Sequence, residues 1–392
     1  MTPTLTIGLV FDYSRPYARG VLRGIGHYAQ TQPHWSLEFH DTQNFVARKM
    51  KLAEPPAGFI AHVVSKQSVR LLMPWKKTVV NISSAIPDAP FPRVGIDNRE
   101  VGRMAFRHFV DLGLRNFALV GHPRHQFSTE REIGYRESIT AGDLFYGAFL
   151  RGTRRSDAHG ANPLFDVDGL RRWLRDLPKP VGVFACHDVW GVQVVEACRS
   201  LRLRVPEDVA VICVDTDNML CERSRPSLSS ILVPSEQIGY EAAVLLEKLL
   251  TGAPPPAGPQ LVSPASVIAR KSSDTLAGGD PELMAAVRFI RASTDRPLNV
   301  EDVLQIVPAS RRSLERKFRA VLRCGISEEI RRVQVERAKT LLSGSALSVT
   351  EIAGHAGFNS IHHLSRVFRR ETGETPTGYR NKSSVQNRLA VK

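Results

Sequence analysis

Apolar positions follow two rhythms along this chain. Up to about residue 270 they gather in short unbroken runs, at 5–10, 58–64, 78–82, 117–121, 181–186 and 209–214. Between the runs they recur every three or four residues, as at Val21, Ile25 and Tyr28 within 18–30, and again through 99–112, 129–139, 167–177, 188–201 and 235–250. Runs this short and this apolar predict strands covered on both faces, and the spaced segments predict the helices that cover them. Shorter strands are predicted at 93–96, 144–150 and 229–233, an extended stretch at 261–269 and a short helix at 68–73; the rest of 141–163 is unassigned. The alternation begins at the N-terminus and begins again at residue 117. Two tandem α/β sheets, with late segments able to return to each, predict a two-lobed α/β domain with a cleft between its lobes.

The last hundred residues carry only the helical rhythm. Val349, Ile352, Ala353 and Ala356 make one apolar face, and Ser348 with Glu351 three residues on forms a capping box at its start. Gly357 ends that helix, and Ser360 caps a second one in which Ile361, Leu364 and Phe368 face inward. His362, Ser365, Arg366 and Arg369 form a polar stripe on its outer side. Two short helices, a glycine turn and a basic outer stripe predict a helix-turn-helix. The device occurs twice. Val300, Val303, Leu304 and Val307 form an apolar face capped by Asn299, and Pro308 interrupts it. Ser310 then starts a helix with Leu314, Phe318 and Val321 inward and Arg312, Glu315, Arg316 and Arg319 outward. Leu314, Arg316, Phe318 and Arg319 match Leu364, Arg366, Phe368 and Arg369 at one constant offset. A helix over 327–342, with Ile330, Val333, Ala338, Leu341 and Leu342 on its packing side, would set the distance between the two outer helices. To enter the major groove on one face of a duplex they must lie about one turn, ~34 Å, apart.

Charge sharpens this picture. Residues 280–392 hold 20 Lys and Arg against 12 Asp and Glu, a net +8, whereas the 279 residues before them hold 33 against 27, a net +6. Positive charge concentrated at one end of a chain suits a polyanion there. The Pro- and Gly-rich 252–259 reads as a surface loop, and SSDTLAGG at 272–279 has a linker's composition before Asp280-Pro281 starts a helix. The expected division is a two-lobed domain at 1–272, a linker at 273–280, an all-α double helix-turn-helix domain at 281–381 and a tail at 382–392. The five cysteines are odd in number and include no C-x-x-C, which argues against a disulfide framework or zinc ribbon and fits a reducing cytoplasm. No basic n-region opens the chain and no run approaches the roughly 20 apolar residues of a membrane span, so neither export nor a membrane is expected. There is no phosphate-binding loop, dinucleotide fingerprint or G-x-S-x-G, and neither His122 with His125 nor His362 with His363 has a third ligand at metal spacing. No enzyme, cofactor or metal is therefore expected.

Ile352-Ala353, Gly357-Phe358, Arg366-x-Phe368, Gly373-x-Thr375-Pro376 and Tyr379-Arg380 resemble the C-terminal signature of the AraC family of bacterial transcription regulators, over about residues 281–381. Leu364 stands where that family often has an aromatic residue, and Gln334 where close relatives tend to carry Arg. The first ~270 residues resemble a LacI-type, periplasmic-binding-protein-like sensor, on Val94-Gly95-Ile96-Asp97-Asn98, Arg131-x-x-Gly134, Phe184-Ala185-Cys186-His187-Asp188 and Val205-Pro206-Glu207-Asp208-Val209 leading to Asp215. Such sensors usually carry Asn-Asp where this chain has His187-Asp188. The two resemblances together imply a cytoplasmic, homodimeric transcription regulator, an activator of a pentose-utilisation operon. Its partners would be double-stranded operator DNA, a sugar effector (a pentose such as D-xylose) and RNA polymerase. The alternative is a sugar-binding enzyme or transport-type sugar-binding protein with a basic tail.

Sugar hydroxyls both donate and accept, and Asp and Arg each hold two neighbouring oxygens in fixed geometry. In open α/β sheets such groups belong at the carboxyl ends of strands. Asp215 and Arg131 are the first candidates on that ground, followed by Asp12, Arg15 and Asp188, with Tyr13, Phe127 or Trp190 as a stacking surface. Asp97 is expected to cap a helix instead, and capping is the plain alternative for every one of these carboxylates. Arg312, Glu315 and Arg316, and Ile361, His362, Ser365 and Arg366, are expected to read bases, because Arg suits guanine O6 and N7 and Ile361 a thymine methyl. Arg319, Arg369 and Arg370 are expected on phosphate, with a solvated helix face as the plain alternative.

Overall fold

The apolar run nearest the N-terminus forms β1 (Leu5–Phe11), whose last five residues are buried. It is the pivot of a parallel sheet ordered β2-β1-β3-β4: α1 (Pro16–Ala29) leads to β2 (Trp35–Asp41) on one side, and α2 (Thr42–Ala47), β3 (Gly58–Ala61), α3 (Lys66–Leu72) and β4 (Val79–Asn81) build the other. After β5 (Val94–Ile96) and α4 (Asn98–Asp111) the second lobe begins. It contains β6 (Asn116–Val120), α5 (Gln126–Glu137), β7 (Phe145–Phe149), β8 (Gly152–Ser156), β9 (Pro163–Phe165), α6 (Val167–Asp176) and β10 (Val181–Ala185). α7 (Asp188–Ser200), β11 (Val209–Val214), α8 (Asn218–Arg223) and β12 (Ser229–Ile231) follow, then α9 (Ser235–Leu250), β13 (Gln260–Val262) and β14 (Val267–Ile268). The second sheet is ordered β14-β12-β11-β10-β6-β7, with β14 antiparallel to β12. Every residue of β10 and β11 is buried, as expected for strands with helices on both faces.

The structure, a computed structural model, describes residues 4–47, 55–140, 144–150, 152–156, 163–214, 218–274, 280–293, 296–322, 324–344 and 347–380. The chain divides into two units, residues 1–107 with 116–273 and residues 108–115 with 274–392. Most of the expected linker, the tail and Asp215 lie outside the described residues.

Within the first unit the chain crosses between lobes three times, after β5, after β12 and after β13. Hydrogen bonds tie the crossings together: β5 pairs with β13, Asp97 N–H donates to the Val262 carbonyl (2.8 Å), and Leu232 N–H donates to the Ser266 carbonyl (2.8 Å). Paired crossings of this kind form a hinge. α9 returns to the first lobe and meets α1 backbone to backbone. A Cβ on Gly24 would lie 1.8 Å from the Glu236 carbonyl oxygen, and one on Gly239 would lie 2.0 Å from that of Val21.

Several elements differ from the sequence expectation. β2 and α2 fall where the apolar pattern predicts nothing. β2 is an edge strand with only Trp35 and His40 buried, so it lacks the apolar signature of the inner strands. The stretch 261–269 is two strands, one pairing with β5 and one with β12, and β8 pairs antiparallel with β9. α5 starts at Gln126, so Phe127 belongs to its first turn and not to the loop before it.

The second unit is helical: α10 (Pro281–Ala292), α11 (Val300–Leu304), α12 (Arg311–Leu322), α13 (Ile326–Gly344), α14 (Val349–His355) and α15 (Ile361–Thr372). Asp280, Asn299, Ser348 and Ser360 cap α10, α11, α14 and α15 through their side-chain oxygens, with capping boxes at Asn299 and Ser348. Leu314 and Phe318 of α12 and Leu364, Val367 and Phe368 of α15 are buried. On α13 Ile330, Ala338 and Leu342 of the expected packing face are buried and Leu341 packs against the same core. Val333 is half-buried, while Gln334 and Val335 are buried, and the Gln334 amide donates to the Gly357 carbonyl at 2.6 Å in the turn of the second helix-turn-helix.

Candidate effector site and nucleic-acid interface

In each of the two larger sheets of the first unit the strand order reverses beside one strand, β1 in the first lobe and β6 in the second. The crevice at the carboxyl end of such a strand is where an open α/β sheet binds its ligand. In the first lobe that position holds Asp12, Tyr13 and Arg15. Asp12 accepts from Ser14 N–H (3.2 Å), Ser14 Oγ (2.5 Å) and Arg15 Nε (2.9 Å). Burial alone would raise its carboxyl, but these donors more than offset that and hold it below the usual carboxylate range. Tyr13 donates to the Leu9 carbonyl (2.8 Å), and burial pushes its phenol up to about 12. His62, one residue beyond β3, shares this corner; burial, then the Arg15 guanidinium, push its imidazole down to about 4.

In the second lobe the loop after β6, the first turn of α5 and the start of α7 build a wall of rings. His122, His125, Phe127, His187 and Trp190 have neighbouring centroids 5.1–6.5 Å apart, and Phe127 stacks on Trp190 at 5.9 Å and 23°. Trp190 is fully covered by this layer. Burial, then the neighbouring His122 and His187, push His125 down to about 4, so at neutral pH its ring is uncharged. Arg131 is buried. Its Nε donates to Asn98 Oδ1 (2.9 Å), one Nη donates to the Cys186 carbonyl (2.5 Å), and its guanidinium lies 4.9 Å over the Phe127 ring. Asp188 is also buried, with Oδ1 held by Val189 N–H (2.6 Å) and 2.7 Å from His187 Nδ1, so this oxygen serves the start of α7. Neutral aromatic faces beside a fixed arginine and carboxylate can stack on a sugar ring and hold its hydroxyls. Asp97 caps α4, its Oδ1 accepting from Glu100 N–H at 2.9 Å. Among the described residues no group of three or more His, Cys, Asp or Glu could hold a metal ion, and no helix is long and apolar enough to cross a membrane.

The outer faces of α12 and α15 are polar and open. Arg312, Arg316 and Arg319 are exposed on the first, and His362, Arg366, Arg369 and Arg370 on the second. Ile361 and Ser365 are half-buried at its margin. Ser365, Arg366, Arg369, Arg370 and Thr375 line a concavity of about 510 Å³. Glu315 departs from this stripe: its Oε2 is buried, facing Gly325 at the turn before α13. Gly357 allows the tight turn into α15, with φ at +74°.

A profile of a periplasmic binding protein-like domain matches residues 106–273, and one of a helix-turn-helix domain matches residues 304–382. The xylose operon regulatory protein of Escherichia coli (strain K12) is 30% identical over 390 residues, covering 96% of this chain and 97% of that protein. Its namesake from Haemophilus influenzae is 30% identical, covering 95% and 97%. A solved structure described as the xylose-binding transcription activator xylR superposes with a TM-score of 0.61 at 28% identity, over 97% of this chain and 99% of that one. The chain belongs to the xylose operon regulator family. It is a DNA-binding transcription regulator with an AraC-type helix-turn-helix domain behind a periplasmic-binding-protein-like sensor.

In this xylose operon regulator relative, several site residues were not foreseen from sequence. His62, Asn98 and the three imidazoles of the ring wall reach the site from separate strand ends. His122 and His125 are visible in sequence only as a metal pair lacking a third ligand. The structure supplies His187 as their neighbour and makes the group an aromatic surface. Proximity to the end of an apolar run was the one local signal available for them.

Proposed function

We propose that this regulator is a cytoplasmic homodimer that activates a pentose-utilisation operon in response to D-xylose, acting on operator DNA with RNA polymerase as its partner. Support comes chiefly from one observation. The two reversal points of a sensor related end to end to xylose operon regulatory proteins carry, in one lobe, a carboxylate–arginine corner and, in the other, an arginine against an aromatic wall. Asp12, Tyr13 and Arg15 would meet the sugar from the first lobe, and Arg131, Asp188 and Phe127 from the second; Trp190, expected as a stacking surface, is fully covered and backs Phe127 instead. Asp215, directly after β11, would complete the set. A sugar touched by both lobes binds a closed hinge more tightly than an open one, and only that difference shifts the population. On DNA, Arg312 and Arg316 and Ile361, His362, Ser365 and Arg366 would address bases, whereas Glu315, turned toward Gly325, is left out of the reading set. Arg319, Arg369 and Arg370 would address phosphate. No catalytic role is assigned to any residue.

Calorimetric titration with D-xylose, L-arabinose and D-glucose, paired with anisotropy on a fluorescent duplex, tests this. D-xylose is expected to bind and to change duplex affinity in a salt-sensitive manner. Absence of D-xylose binding would remove the effector assignment, and unchanged D-xylose affinity in Asp215→Ala would remove Asp215 from the site.

A further inference from the structure

Two of the five cysteines meet inside the second lobe. Cys213 is the last residue but one of β11, Cys221 lies on α8 eight residues on, and their sulfurs are 3.9 Å apart. Both side chains are fully buried. The strand holds Cys213 in place: β11 is laddered to β10 on one side and to β12 on the other, with Cys213 opposite Ser230. α7 closes over the same residue, since a Cβ on Gly191 would lie 3.0 Å from Cys213 Cβ. α8 is only six residues long, and the Cys221 carbonyl accepts from Leu228 N–H at 2.8 Å. A disulfide has its sulfurs about 2.0 Å apart. Closing the gap therefore draws the short helix toward the strand, because the strand cannot follow without breaking two ladders.

The buried thiols differ in character. Burial pushes Cys186 and Cys198 up to about 12, so both stay protonated near neutral pH. Cys221 goes the other way. Its hydrogen bond with the Cys213 thiol holds it below the usual thiol range; burial and the Asp188 carboxylate oppose this, and the Arg270 guanidinium and the Ser230 hydroxyl assist it. Arg270 is set in position by its bonds to the Leu228 carbonyl (2.9 Å) and Ser230 Oγ (3.0 Å). A thiolate beside a cation is the nucleophilic form of cysteine.

We propose that Cys213 and Cys221 are a peroxide-sensitive dithiol: Cys221 attacks the oxidant, Cys213 resolves the product, and the resulting disulfide ties α8 to β11 and weakens effector binding. Cys221 Sγ attacks hydrogen peroxide. An S–O bond forms, the O–O bond breaks, and the released hydroxide leaves as water with the Cys221 proton. Cys213 Sγ then attacks the sulfenic sulfur. The S–S bond forms, the S–O bond breaks, and the hydroxide leaves as a second water with the Cys213 proton. The sulfur pair loses two electrons and the peroxide gains them. Both sulfurs are covered, so the oxidant is a small peroxide and not a bulky disulfide. Transient, redox-sensing disulfides are the kind a reducing cytoplasm permits. The closed ring, residues 213–221, includes Asp215. The effect on the effector rests on Asp215 lying in the effector site; the sulfur chemistry does not.

The test uses the full chain, reduced with dithiothreitol, desalted, treated with hydrogen peroxide and unfolded in iodoacetamide for mass spectrometry. The wild type is expected to lose two alkylatable thiols and two hydrogens, with the Cys213 and Cys221 peptides joined. Cys213→Ser is expected to stop at a Cys221 sulfenic acid that dimedone traps, and Cys221→Ser to leave Cys213 alkylatable. If the wild type keeps both thiols, or joins other cysteines instead, the proposal is overturned, and this arm needs no variant to fold. Calorimetry then compares the reduced and linked wild type with D-xylose, L-arabinose and D-glucose. The linked form is expected to bind D-xylose at least about fivefold more weakly, the lower end of ordinary coupling between sites. Dithiothreitol should restore its affinity, and peroxide should leave Cys221→Ser unchanged. Equal affinity of the reduced and linked forms overturns the regulatory role. If the reduced wild type binds none of the three sugars, the effector assignment fails and the regulatory role fails with it, while mass spectrometry still decides the dithiol.

Discussion

Gly357 and Gly373 form a matched pair for measuring what the turn of the second helix-turn-helix requires. Both follow a helix of that unit and both have left-handed backbone, φ +74° and +77°. A side chain in that conformation costs roughly 1–2 kcal/mol. Nothing lies within 4 Å of a Cβ placed on Gly373, so Gly373→Ala should cost only that. On Gly357 the same atom would lie 2.6 Å from the Arg296 carbonyl oxygen and 3.3 Å from Gln334 Nε2, the amide that holds the carbonyl of Gly357 itself. Backbone must move to relieve the first contact, and forced overpacking adds roughly 1–3 kcal/mol, so Gly357→Ala should cost about 2–5 kcal/mol. All four tryptophans, Trp35, Trp75, Trp173 and Trp190, lie in the first unit. In urea unfolding, a transition seen in far-UV ellipticity but not in tryptophan fluorescence therefore reports the helical unit. With a slope of about 2 kcal/mol per molar urea, that midpoint should fall by about 1–2.5 M for Gly357→Ala and by about 0.5–1 M for Gly373→Ala. Equal shifts, or a larger one at Gly373, would refute the claim that close approach of the Arg296 carbonyl governs this turn.

Phe368→Ala should cost roughly 3–5 kcal/mol, since Phe368 is fully buried and packs edge-on against Tyr379 at 5.4 Å; the same ellipticity transition measures it. Arg366→Ala should cost about 1–3 kcal/mol on the preferred duplex and relax base preference at one position, whereas Arg370→Ala should weaken all duplexes alike and lower the salt slope by about 1. Anisotropy on a set of duplexes at several salt concentrations separates the two. His62 is held down to about 4 in the folded chain, below its ordinary 6.5. The unfolded chain therefore takes up that proton first, and the sensor should lose stability as pH falls from about 6.5 to about 4. His62→Gln should flatten the pH dependence of the fluorescence-detected urea midpoint by up to about one proton, and an unchanged slope would exclude His62 as a contributor.

What this sequence determined by itself is local. The span 209–214 is a strand and 235–250 a helix with the bounds their patterns predict, because run length and apolar period are complete within each segment. The caps at Asn299, Ser348 and Ser360 are equally local, since each joins groups a few residues apart. Duplication did the same for the two recognition helices: the repeat of Leu314 and Phe318 in Leu364 and Phe368 is visible without coordinates. Tertiary structure decided what depends on the chain returning to itself. β2 sits at a sheet edge and needs no continuous apolar face, so its pattern is weak. The strands within 261–269 separate only because β5 and β12 are there to receive them. Arg131 reaches a carbonyl at Cys186, and Asp111 reaches Arg332. No periodicity records such pairs, because their geometry is set by which strand ends and helix ends the packed core brings together.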